Sequence, residues 1–157
     1  MRAQRGFTLV ELVTVLMLIG ILGVVAVPRL LDMNQFSTRG ARDVVGASLR
    51  HAQKSAIAMR RNVCVSVSGA SMNMRYASTS GVNQACNTDL VNPANGQPYS
   101  ATANALPAPI TGTVNVIFDA QGRPLSAPST PRVSALTITV TGHATPIIIE
   151  PETGTVH

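Results

Sequence analysis

Tryptophan is absent, and aromatic residues make up 3% of the 157-residue chain. A core built from this sequence therefore rests on Val, Ile, Leu, Ala and Met, and stacking platforms for bases are scarce. Two cysteines exclude a Cys₄ zinc site within one chain, and three scattered histidines speak against a catalytic metal centre. Charged residues are also few, at 12%, with Lys plus Arg at 12 against 7 acids. The pI of about 10.2 reflects a small surplus rather than a polybasic chain. There is no G-x-S-x-G elbow and no G-x-x-x-x-G-K phosphate loop, so an enzyme is not expected, and no cofactor is called for. At 45% hydrophobic residues the sequence is too apolar for a disordered chain and suits one modest domain.

What is present is unevenly spread. Phe7 to Val27 reads FTLVELVTVLMLIGILGVVAV, with Glu11 as its one charge. As a helix this run would extend about 31 Å, close to one bilayer core. Arg2 and Arg5 precede it; Pro28 and Arg29 follow. A secretory signal would have a shorter apolar run and an Ala-x-Ala site after it. A plain anchor explains the length and the flanking arginines but not Glu11. A carboxylate in a bilayer core costs roughly 2.5–3.5 kcal/mol, and no Lys, Arg or His inside the run offsets it.

Arg5-Gly6-Phe7-Thr8-Leu9-Val10-Glu11 resembles the class III signal of type IV pilins and type II secretion pseudopilins. The resemblance implies that a prepilin peptidase cuts between Gly6 and Phe7 and methylates the new amine at Phe7. It implies that Glu11 takes part in assembly, facing the Phe7 amine of a neighbouring subunit. Pro28 matches a proline common at the end of the apolar stretch, and its missing amide hydrogen is expected to kink or locally open the helix.

Beyond Pro28 the helix is expected to resume to about Arg60, since Val45, Leu49, Ala52, Ala56 and Met59 fall on one face. Arg42, Arg50, Lys54 and Arg61 lie largely away from that stripe. Asn62 to Ser68 alternates with period two and reads as a strand, with Met72 to Tyr76 its hairpin partner across Gly69-Ala70. Ser78 to Pro109 reads as one long irregular loop. Thr113 to Phe118, Ala135 to Thr141 and Pro146 to Glu150 read as strands, and Thr155 to His157 as a short last one. Turns are expected over 119–124 and 152–154. One long helix followed by strands implies α+β with an antiparallel sheet. The expected organisation is a leader at 1–6, a transmembrane or filament-core half-helix at 7–28, an amphipathic half at 29–61 and a β domain at 62–157.

The downstream sequence is similar to the GspH/FimT branch of the pilin-like proteins. Ser48 to Ala52 and Ala56 to Val63 resemble its helix-to-strand entry. Ile117-Phe118-Asp119-Ala120-Gln121-Gly122-Arg123 resembles its F-D-x-x-G-R turn, and Ile147 to Ile149 with Thr153 to Val156 its closing hairpin. The resemblance implies the pilin fold and a minor pilin or pseudopilin. Its partners would be other pilin or pseudopilin subunits, the prepilin peptidase and an inner-membrane assembly platform. The chain would cross the bacterial inner membrane once, with the C-terminal domain in the periplasm, before entering a filament. A type IV pilus and a type II secretion pseudopilus share these signals. A third reading is a DNA-binding minor pilin. That branch associates DNA with a C-terminal Gly-Arg-x-Arg, where this chain has Gly154-Thr155-Val156-His157. Without clustered cations there, DNA contact is disfavoured.

Cys64 and Cys86 would lie on the exported side, where disulfides persist. A bond is favoured over two free thiols with Cys64 buried as a small hydrophobe. It would close a loop of about 22 residues and add roughly 3 kcal/mol.

Overall fold

The computed structural model describes residues 8–31, 33–81, 84–99 and 106–157, without the side chains of 25–35. Two helices come first, α1 (Leu9–Leu31) and α2 (Met33–Met59). The chain divides into two compact units, residues 1–36 and 37–157.

Helix α1 is opened by Thr8, whose Oγ1 accepts the Glu11 amide at 3.3 Å while its carbonyl accepts the Leu12 amide at 3.2 Å. That is the N-cap arrangement, in which a side-chain oxygen satisfies one of the free amides of the first turn. Pro28 lies inside α1. The kink expected there remains a proposal.

Helix α2 buries one stripe. Ala41, Val45, Leu49, Ala52 and Ala56 are all fully buried, and Met59 packs at the edge of the same core. Its end is a Schellman motif, with the Arg61 amide on the Ala56 carbonyl and the Arg60 amide on the Ile57 carbonyl. Arg60 takes the left-handed conformation there, at φ 52°.

The sheet that α2 covers is antiparallel throughout, with β1 (Val63–Ser68), β2 (Ser71–Ala77) and β4 (Thr113–Phe118) at its centre. β3 (Cys86–Asp89) flanks β2, and β5 (Pro124–Ala127) and β6 (Thr130–Pro131) follow β4, so the order is β3-β2-β1-β4-β5-β6. Period-two alternation places Val65 between Met74 and Val116, all three buried against α2. Phe118, the largest fully buried side chain, closes one end of this layer. A separate two-stranded sheet pairs β7 (Leu136–Ile138) with β8 (Ile147–Ile149) and adds Ile138, Ile147 and Ile149 to the core. The fold class is α+β, as the sequence implies, with a pilin-like architecture.

Several elements differ from the sequence-based expectation. The stretch 78–109 is not one irregular loop, because β3 (Cys86–Asp89) pairs with β2, and Val91 bridges Pro98 beyond it. Two short strands, β5 (Pro124–Ala127) and β6 (Thr130–Pro131), extend the sheet where none was expected. The strand expected over 135–141 is regular only at 136–138, and Val140 instead bridges Ile110. The last strand is the single bridge Ile149 to Val156.

Candidate functional site

Gly6 and Phe7, the expected processing pair, lie outside the described residues. What is described begins one residue later, with the capped start of α1.

Along α1 the large apolar side chains are exposed on every side. Leu9, Val10, Leu12, Val13, Leu16 and Met17 step round the helix at successive angles, with Leu9 at 78% and Met17 at 68% exposure. A helix that is apolar all round must be covered, by lipid or by other chains. Among the described residues no helix is long and apolar enough to cross a membrane. The described side chains of α1 stop at Val24, short of the end of the apolar run at Val27.

Glu11 is the one ionisable side chain between Thr8 and Val24. Its carboxylate makes no hydrogen bond or ion pair among the described residues, although its amide is held by Thr8 and its carbonyl accepts the Thr14 hydroxyl at 2.9 Å. It sits three positions after the cap, where an acid is favoured by the free amides of the first turn. Thr8-Leu9-Val10-Glu11 is thus half of a capping box, which the S/T-x-x-E spacing signals. Glu11 therefore has a local structural reason to be acidic.

Cys64 on β1 and Cys86 on β3 are joined in a disulfide, with Cα atoms 6.0 Å apart. The bond ties β3 to β1 across the last residues of β2, where Cys64 pairs with Arg75 and Cys86 with Ala77.

The basic side chains are mostly engaged by the fold itself. Nε of Arg42 donates to the Thr145 carbonyl at 3.3 Å and Nε of Arg50 to the Val156 carbonyl at 3.2 Å. Arg61 donates to the Ser78 carbonyl at 2.6 Å, and Arg132 to the Asn115 carbonyl at 2.8 Å. Arg75 pairs with Asp89 at 3.0 Å and Arg123 with Asp119 at 2.9 Å. Arg39, Lys54 and Arg60 have no such partner among the described residues. Both main-chain polar groups of His157 pair with those of Ile148, and its Nε2 lies 3.7 Å from a Glu150 carboxylate oxygen.

His51, on the half-buried side of α2, stacks obliquely near Tyr99 with ring centroids 6.1 Å apart. Its Nε2 is buried without a partner, and Ser48 lies against the Tyr99 hydroxyl instead, at 3.5 Å. Among the described residues no carboxylate or serine hydroxyl joins His51, so no activated nucleophile is assembled there. No cluster of metal-ligating side chains occurs among them either.

Residues 1–27 match the family described as the prokaryotic N-terminal methylation motif. The chain is also similar to the type IV narrow pilus major component PilA5 of Thermus thermophilus, at 38% identity over 63 residues. That match covers 40% of this chain and 53% of the relative, so the chain spans about half the length of the curated relative it matches. No solved structure matches it. The chain is type IV pilin-like in its N-terminal methylation motif and in its similarity to a type IV pilus component.

Proposed function

We propose that the chain is a minor pilin or pseudopilin of the GspH/FimT kind, which enters or primes a type IV pilus filament. The observation that carries this reading is α1: apolar on every side, with a single unpaired carboxylate in its capped first turn. Such a helix needs a covering, and Glu11 needs a counter-charge. Cleavage between Gly6 and Phe7 creates a cationic amine, and N-methylation keeps its charge. The Phe7 amine of one subunit then neutralises Glu11 of the next, so that two groups each costly in an apolar bundle offset one another. Before assembly the same helix rests in the inner membrane, with residues 62–157 on the periplasmic side and Pro28 marking the helix's exit from the apolar layer. The peptidase, other subunits and the assembly platform are its partners. The minor-subunit reading is supported by the Asp119 turn, where one carboxylate holds the Gln121 and Arg123 amides and the Arg123 guanidinium. It is supported as well by the closing hairpin at 147–157, the two segments that carry the GspH/FimT resemblance.

The test separates the two reasons for an acid at position 11. Glu11→Gln keeps a residue suited to the capping box but removes the charge. Glu11→Leu removes both. Both variants are expected to insert and to be cut after Gly6, because the scissile bond lies outside the change. Both are expected to drop out of sheared filaments relative to their membrane pool. Normal incorporation of Glu11→Gln would assign Glu11 to the cap and remove the amine pairing.

A further inference from the structure

The central strands have a second face, turned away from α2. Its outward positions form three rows across β2, β1 and β4: Arg75, Cys64 and Ile117; Asn73, Ser66 and Asn115; Ser71, Ser68 and Thr113. The surface is a shallow, open hollow of about 560 Å³. One of these side chains is charged, and it is already taken: Arg75 Nε bonds Asp89 at 3.0 Å and its NH2 bonds the Asn87 carbonyl at 3.0 Å.

The rest of the face is neutral and rich in hydrogen-bonding groups. In the last row Ser68 and Thr113 satisfy each other at 3.0 Å. In the middle row Asn73, Ser66 and Asn115 make no side-chain hydrogen bond to any described residue, and neither does Ser71. Each Asn amide offers two donors and a carbonyl acceptor. The two amides stand two strands apart, about 10 Å, with a hydroxyl between them. Beside them Ile117 and the Cys64–Cys86 bond supply an apolar margin.

Outward sheet positions commonly carry long charged side chains that keep the surface wet. Here most are short and neutral, and the unpartnered cations among the described residues, Arg39, Lys54 and Arg60, lie on α2 or at its C-terminal end. An anion or a charged peptide would find no counter-charge in the hollow. A ligand with many hydroxyl groups and no charge would find donors and acceptors at a spacing that one or two of its rings can bridge. We infer that the concave face of β2, β1 and β4 is a binding site for a neutral oligosaccharide, oriented by Asn73, Ser66 and Asn115. The absence of aromatic rings on this face, against which sugar rings could pack, sets a weak affinity.

The experiment uses the full chain in micelles of a phosphocholine detergent, which carries no sugar headgroup. Side-chain amide resonances of Asn73 and Asn115 are followed by NMR during titration with maltotriose and, separately, with chitotriose. Saturable shifts of both amides with at least one trisaccharide are expected. The Asn73→Ala/Asn115→Ala double variant should bind that sugar about tenfold more weakly or worse. It should melt as the parent does, because neither side chain holds anything in the fold. The proposal fails if neither sugar moves these amides, if the double variant binds as the parent, or if inorganic phosphate moves them in a saturable way and the sugars do not.

Discussion

At the scale of single residues, the closest approach at any described glycine is where two turns meet one side chain of α2. Nε2 of Gln53 donates to the Gly122 carbonyl and to the Thr153 carbonyl, each at 3.0 Å. Gly154 lies against the same pair at φ 70°, and a Cβ there would run into the Gly122 carbonyl oxygen and come within 2.8 Å of Gln53 Nε2. Gly154→Ala is therefore expected to lower stability by about 3 kcal/mol, roughly 1 from the left-handed backbone and the rest from the displaced carbonyl and its hydrogen bond. Gly69→Ala is the control: its φ is 55° but nothing lies within 4 Å of the added carbon. It should lose only about 1 kcal/mol. Urea unfolding of both variants checks this, and equal losses would show that the close approach carries no energy. Glycine and its polar neighbours made both turns legible in the sequence. Their meeting at Gln53 was not, because the contacts join residues 69 and 100 positions apart.

At the scale of elements, alternation decided what could be read. β1, β2 and β4 have one face in the core and one in solvent, so their sequences carry period two. The α2 stripe was legible for the matching reason, at helical spacing. β3 carries no such signal. Cys86-Asn87-Thr88-Asp89 is an edge strand with no residue fully buried, and its pairing is imposed by β2 and by the disulfide. β5 and β6 are short and contain Pro124 and Pro131, which reads as turn rather than strand. If the disulfide is what holds β3, replacing Cys64 and Cys86 together by Ser should lower stability by about 3 kcal/mol, as expected for a loop of 22 residues. The loss should be uneven. Amide exchange should accelerate most at Leu90 and Tyr99, whose amides bond the Met74 and Leu90 carbonyls beside β3. The Val65 and Val116 amides, in the middle of the sheet, should change least. A uniform acceleration would mean that the bond acts on the whole domain and not on its edge.

At the scale of the whole molecule, the chain joins two stretches of opposite physical character. α1 exposes its apolar side chains, whereas residues 37–157 bury theirs in a continuous cluster that begins at Ala41 and ends at Val156. Composition revealed this division, because the apolar residues are concentrated in one run while the Arg and Lys residues are concentrated after it. It did not reveal where the compact unit starts, since the helical periodicity passes through Ser37 without a break. Among the described side chains no member of the core cluster precedes Ala41. A chain beginning at Ser37 therefore loses the first turn of α2 and none of the side chains described as buried. Fraying of that turn should cost no more than about 1 kcal/mol, since tertiary packing rather than local propensity holds α2. The shortened chain should remain in solution without detergent, retain the Cys64–Cys86 bond and unfold in one cooperative step. The full chain, with Leu9 to Val24 uncovered, should need detergent or lipid to stay dispersed. Sedimentation and thermal unfolding of the two chains side by side provide the measurement. A shortened chain that aggregates, or that keeps helical signal while losing its cooperative transition, would show that the core depends on residues 1–36. The covering of α1 would then be internal to the protomer rather than supplied by lipid or neighbouring subunits.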